Sequence, residues 1–132
     1  EAFIDTCRAH HIEPIVLATN EQGFSNLDYY ADIERILTEH EVDGLFLGND
    51  IMAAQAVQIA RKLRRKVPGD LKIIGFDDIP LASLTTPPLS TIRQPVEEIG
   101  KYAVDVILNQ LSGIVVPTQI ILPVSLIRRE TT

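Results

Sequence analysis

Two adjacent carboxylates, Asp77-Asp78, close an apolar run, and further polar residues stand at comparable places upstream. Asn49-Asp50 follows the run Val42 to Leu47, and Asn20 follows Ile15-Val16-Leu17-Ala18. Asn and Asp side chains pair with vicinal hydroxyls, and an aromatic face, here Phe24, covers the apolar side of a sugar ring. That combination suits a polyol or sugar better than a phosphate. Neither GxGxxG nor GxxxxGK[ST] occurs, so no Gly-rich phosphate cradle is encoded. Structural readings compete. Asp50 alone fits a helix N-cap better than a ligand contact, and Asp78 before Ile79-Pro80 fits a turn cap. Asn49 and Asp77 are harder to explain structurally.

The elements that must position these residues alternate along the chain. Phe3, Ile4 and Cys7 form a short helical stripe ending near His10-His11, and Ile15 to Ala18 is expected as a strand. Asn20 to Asn26 is a polar loop. Tyr29, Tyr30, Ile33, Ile36 and Leu37 recur at helical spacing. A strand over Val42 to Leu47 is followed by a helix whose buried face is Ala53, Ala56, Val57, Ala60 and Leu63. Pro68-Gly69-Asp70 turns the chain into the strand that ends at Asp77. The run Leu71-Lys72-Ile73-Ile74 is short and rich in apolar residues, as in a strand buried on both faces. Helices alternating with strands predict an α/β fold with a parallel sheet and right-handed crossovers. Ligands in such sheets sit at the carboxyl ends of the strands, where Asn20, Asn49 and Asp77 fall.

Beyond Asp78 the pattern changes. Pro80, Pro87 and Pro88 argue against a regular helix or central strand over Ile79 to Leu89. Ser90 to Arg93 is a short extended stretch. Pro95 suits the first position of a helix whose buried stripe is Ile99, Tyr102, Ala103, Val106 and Ile107, ended by Gly113. Gln119 to Ile127 is a strand interrupted by Pro123, which predicts an edge or a crossover.

Composition excludes several classes. The 132 residues carry 12 Lys and Arg against 18 Asp and Glu, a net charge of -6 that disfavours nucleic-acid binding by this chain alone. The single cysteine, Cys7, excludes an internal disulfide and is compatible with a reducing compartment. No apolar run in these residues is long enough for a membrane span, and none of them is expected to be a signal peptide. The chain opens at Glu1 inside a helical pattern, as a fragment would. Cys7, His10, His11 and His40 lack a fixed ligand set, so no metal and no cofactor is expected. Cys7 fits a core thiol. The basic run Arg61, Lys62, Arg64, Arg65, Lys66 complements a helix C-terminus. Asp50 and Asp77 could be paired as a glycosidase acid and base, which needs carboxyls about 5 to 9 Å apart. No GxSxG motif occurs.

Five motifs in register resemble the lac repressor/gal repressor family. They are Gly48-Asn49-Asp50-Ile51-Met52-Ala53, Val67-Pro68-Gly69-Asp70, Ile74-Gly75-Phe76-Asp77-Asp78, Pro87-Pro88-Leu89-Ser90-Thr91-Ile92-Arg93-Gln94-Pro95 and Arg129-Glu130-Thr131-Thr132. The resemblance implies a periplasmic-binding-protein-like (type I) core: a three-layer parallel sheet with flanking helices, here mostly the C-terminal lobe. Residues 1–89 would form that lobe, residues 90–118 a crossover strand and a helix belonging to an N-terminal lobe, and 119–132 the returning strand and tail. Asn49 and Asp77 are implied to bind the hydroxyls of a small-molecule effector, of sugar or nucleoside class. Phe24 would stack on it and Gln94 lie near the cleft floor, with a further effector-binding Arg upstream of Glu1.

The implied function is a cytoplasmic, dimeric or higher-order transcriptional repressor, not an enzyme, that meets operator DNA through an N-terminal helix-turn-helix. The Asp78 to Pro88 loop would join the subunit interface. Without an N-terminal lobe, the helix from Pro95 to Leu111 is expected to fold back on the chain or on a second copy. A soluble uptake-system binding protein and a sugar-processing enzyme are the alternatives.

Overall fold

The computed structural model describes residues 1–17 and 29–132; the expected ligand residues Asn20 and Phe24 lie outside them. The elements run α1 (Ala2–Ala9), α2 (Tyr30–Glu39), β1 (Gly44–Phe46), α3 (Asp50–Lys62), β2 (Lys72–Asp77), α4 (Leu81–Leu84), β3 (Ser90–Arg93), α5 (Val96–Leu111) and β4 (Ser125–Ile127). The strands form one sheet in the order β1-β2-β3-β4. β1, β2 and β3 are parallel, and β4 pairs antiparallel with β3 at the edge. The expected parallel sheet therefore gains one antiparallel strand.

The core follows from the alternation of β2 and the period of α3. Leu71, just before β2, and Ile73 and Gly75 within it fall on one face, where Gly75 meets Asp50 and Ala53 of α3. α3 answers with Ala53, Ala56, Val57 and Ala60, spaced to make a single stripe. Gly75 is required by this approach. A Cβ there would come within 3.1 Å of Leu89 Cδ2 and 3.2 Å of the Ala53 methyl. Ile33 and Leu37 of α2 extend the same cluster. Ile59, Leu71, Ile73 and Leu89 are wholly enclosed, each contributing about 1.5–3 kcal/mol. On the other face Phe46 stacks with Phe3 of α1 at 5.9 Å between centroids and meets Phe76 edge-on at 6.5 Å. Helices thus flank both faces, giving three layers.

The basic run at the end of α3 has structural work. Lys62 Nζ pairs with Glu34 at 2.6 Å and lies 5.4 Å over the Tyr30 ring, joining α3 to α2. Arg65 donates to the carbonyls of Val42 and Asp70.

The tail closes the sheet. Thr131 is fully buried; its hydroxyl donates to the Ile73 carbonyl (2.7 Å) and accepts the Ser90 N–H (2.8 Å). The Ile73 N–H donates to the Thr131 carbonyl at 2.9 Å.

Four expectations are corrected. Residues 12–17 form no strand: the run Ile15 to Leu17 follows Pro14 and finds no ladder partner among the described residues, and Ile15 and Val16 are exposed, while Ala18, the last residue of the expected strand, lies outside the described residues. The strand expected over Gln119 to Ile127 is confined to Ser125–Ile127, because only those residues pair with β3. A four-residue helix, α4, follows Pro80, since proline is compatible with a helix start even though it breaks an interior. The apolar stripe of α5 is not buried. Ile99, Tyr102 and Ile107 are 42 to 55% exposed, because only the returning stretch around Pro117, Ile120 and Leu122 lies against that stripe.

Candidate functional site

Asn49, Asp77 and Gln94 lie at or just beyond the carboxyl ends of β1, β2 and β3, three adjacent parallel strands. Their side chains have different duties. The Asn49 Oδ1 accepts the Met52 N–H at 2.8 Å, so Asn49 is the N-cap of α3. Asp50, expected in that place, is instead the first helical residue. The Asn49 amide NH₂ has no hydrogen-bond partner among the described residues. Asp77 ends β2 beside Arg93 in register, and its Oδ1 accepts the Gln94 Nε2–H at 2.6 Å. Its second oxygen has no partner among the described residues. A free acceptor at one strand end and free donors at the next can engage neighbouring hydroxyls of a polyol.

Beneath this pair lies a polar network. Asp50 is completely buried, and its two oxygens accept the Thr91 hydroxyl (2.5 Å) and the Ile79 N–H (2.8 Å). With both oxygens committed and no exposure, Asp50 is not placed to act as an acid or base on a bound sugar, so the glycosidase pairing of Asp50 with Asp77 loses its support. Asp78 is also enclosed, with its side chain 5% exposed. Its Oδ2 accepts from Arg93 Nε at 2.6 Å and its Oδ1 from an Arg129 terminal nitrogen at 2.7 Å. Burial pushes the Asp78 carboxyl up, but the hydrogen bonds and charges of Arg129 and Arg93 outweigh it and hold the carboxyl below its ordinary value. Arg129 also donates to the Leu89 carbonyl at 2.7 Å. The backbone of both aspartates has positive φ, 104° at Asp77 and 56° at Asp78. Aspartate enters this region more readily than most side chains, though two such residues in succession are uncommon.

The structure brings together Asp77 and Gln94 by direct contact and places Asn49 on the adjoining strand end; Phe24 lies outside the described residues. Sequence reasoning did not assign roles to Thr91, Arg93 and Arg129. The polar residues within Ser90-Thr91 and the paired Arg128-Arg129 beyond an apolar stretch were the available signals. Cys7 is half-buried on α1 and lines an apolar cavity of about 310 Å³ with Phe3, Ile12 and Phe46, rather than sitting in the core. Among the described residues no three His, Cys, Asp or Glu side chains converge on a metal site.

The chain as a whole is similar to known proteins. The model of the periplasmic binding protein-like domain matches residues 1–132. The ribose operon repressor of Halalkalibacterium halodurans is 30% identical over 135 residues, covering all of this chain and 40% of that protein. The sucrose operon repressor of Streptococcus mutans is 38% identical over 100 residues, 76% of this chain and 31% of that protein. In structure the chain is similar to the lac repressor dimer bound to operator and the anti-inducer ONPF. The TM-score is 0.84 at 30% identity, covering 97% of this chain and 44% of that one. The chain belongs to the periplasmic binding protein-like family, in its lac repressor/gal repressor branch. It spans less than half the length of these relatives. No helix among the described residues is long and apolar enough to cross a membrane.

Proposed function

We propose that this chain is the effector-binding core of a bacterial transcriptional repressor, taking a sugar or related polyhydroxy ligand. The observation that carries the reading is the Asp77–Gln94 pair at the end of β2, with Asn49 on the neighbouring strand end. Asp77 and Asn49 grip ligand hydroxyls, Gln94 supports Asp77, and Phe24 supplies the stacking face. Residues 1–89 form most of the C-terminal lobe, 90–118 the crossover strand and the helix of an N-terminal lobe, and 119–132 the returning strand and tail. The ligand acts by population shift: it favours one arrangement of the lobes, and operator affinity changes by the coupling free energy. Operator DNA is met through a separate N-terminal domain, the protein is a cytoplasmic homodimer or higher oligomer with residues 78–88 at the interface, and it performs no catalysis. The operon repressors of ribose and sucrose among its relatives support a sugar as the ligand class.

The test is calorimetric titration of the complete gene product with D-ribose, sucrose, lactose and a nucleoside. One of them should bind reversibly without product, and Asp77→Ala should abolish the heat. Turnover of any of them, or binding untouched by Asp77→Ala, would refute the reading.

A further inference from the structure

We propose that Asp78, which is not itself a ligand contact, is the positioning residue of the site: gripped by Arg93 and Arg129, it holds the strand end so that the Asp77 carboxyl reaches Gln94 and a bound ligand. The ligand half of this inference rests on the function proposed above; the Asp77–Gln94 half does not.

Three observations support it. First, Asp77 and Asp78 both have positive φ; aspartate tolerates this singly, but two in succession, with Asp77 at 104° outside the usual left-handed well, need support from their surroundings. Second, the restraints converge on this turn from three parts of the chain. Arg93 comes from the end of β3, Arg129 from the tail beyond β4, and the adjacent Ile79 N–H is fixed by buried Asp50 of α3. Third, the contacts form two parallel latches between the same strand ends. Asp78 holds Arg93 while Asp77 holds Gln94, so a displaced residue 78 displaces the ligand-facing pair with it. Two charge-assisted bonds to a nearly enclosed carboxylate give this restraint directional strength. β3 continues directly into α5, and the chain returns from α5 through β4, so the strands on either side of α5 are anchored at one carboxyl group.

A role in stability alone and a positioning role predict different results in a double-mutant cycle. Asp77→Ala, Gln94→Ala and their combination are made in the complete gene product, with Asp78 intact and with Asp78→Asn, and unfolding is followed in urea. Asparagine keeps the shape and tolerates positive φ, so the substitution removes the charge of the grip. With Asp78 intact, the Asp77–Gln94 coupling should change the unfolding equilibrium constant about tenfold, as for a hydrogen bond to a charged group. In the Asp78→Asn background it should fall to about onefold. A purely structural Asp78 would lower stability equally at all four corners and leave the coupling intact. Equal coupling in both backgrounds, or none with Asp78 intact, overturns the proposal. Should Asp78→Asn fail to fold, Arg93→Gln loosens one latch only and should reduce the coupling; an unchanged value there overturns it too. Titration with D-ribose gives the ligand readout: Kd should rise about tenfold in Asp78→Asn, and an unchanged Kd overturns the ligand half of the proposal. A wild-type protein that takes up no D-ribose fails the choice of sugar, and the cycle still decides the role of Asp78.

Discussion

Replacing Asp50 should separate a structural carboxyl from a ligand contact, because the structure gives two substitutions different costs. Asp50 has no exposure and accepts two hydrogen bonds, from the Thr91 hydroxyl at 2.5 Å and the Ile79 N–H at 2.8 Å. Asp50→Ala strands both donors, the Thr91 hydroxyl in the buried interior and the Ile79 N–H in a partly buried position. At about 1–3 kcal/mol for each buried donor left unmade, the loss is about 4 kcal/mol. Asp50→Asn is milder, because a hydroxyl can reverse its role. The new amide oxygen can keep the Ile79 N–H, and its NH₂ can donate to Thr91 Oγ1 once that hydroxyl turns away. The cost is then about 1–2 kcal/mol, for a weaker uncharged bond and one displaced hydroxyl hydrogen. Urea denaturation with a slope of about 2 kcal/mol/M would move the midpoint by about 2 M for alanine and less than about 1 M for asparagine. Equal costs for the two, or a cost below about 1 kcal/mol for alanine, would show that the Asp50 network is not the buried prop the distances describe.

Other outcomes follow from neighbouring contacts. Gly75→Ala should destabilise by about 1–3 kcal/mol in denaturation, because the new methyl meets Asp50, Leu89 and Ala53, all parts of the packed core. Asn49→Ala should cost about 1 kcal/mol through the lost α3 cap, while Asn49→Ser keeps the cap; sugar affinity measured by calorimetry should fall in both if the amide NH₂ grips ligand. The pH dependence has a definite sign. Asp78 is held below its ordinary value, so its contribution is fully present above about pH 4 and is lost as pH falls through the lower folded value. Wild type and Asp78→Asn should therefore differ in stability at neutral pH and converge in acid, which thermal unfolding across pH 2–7 would reveal.

The parts legible in the sequence are those governed by short-range period. The stripe Ala53, Ala56, Val57 and Ala60 and the apolar run into Asp77 describe α3 and β2 closely, and Asn49 and Asp77 stand at strand ends as expected. What escaped depends on partners far along the chain. Asp50 and Thr91 are 41 residues apart, and Asp78 and Arg129 are 51 apart, so no local pattern couples them. The apolar run at Ile15 illustrates the converse. Its composition suits a strand, but a strand exists only where a ladder receives it, and among the described residues none does. The helix cap moved by one residue because both Asn49 and Asp50 are good caps, and the deciding fact is that Asp50 is needed by Thr91 and Ile79.

Thr131 lies 58 residues beyond Ile73, yet it satisfies that strand from within. During synthesis β2 leaves the ribosome long before its last partner exists. At roughly 5–20 residues per second the interval is about 3–12 s. Through that interval the Ile73 carbonyl waits without Thr131, joined by the Ser90 N–H for the last 41 residues of it, on a sheet whose β4 edge is also unmade. Unpaired strand edges of that kind recruit other chains. The order in which this polypeptide is made thus sets when it is most exposed to chaperones and to its own copies: after Arg93 has emerged and before Thr131 has.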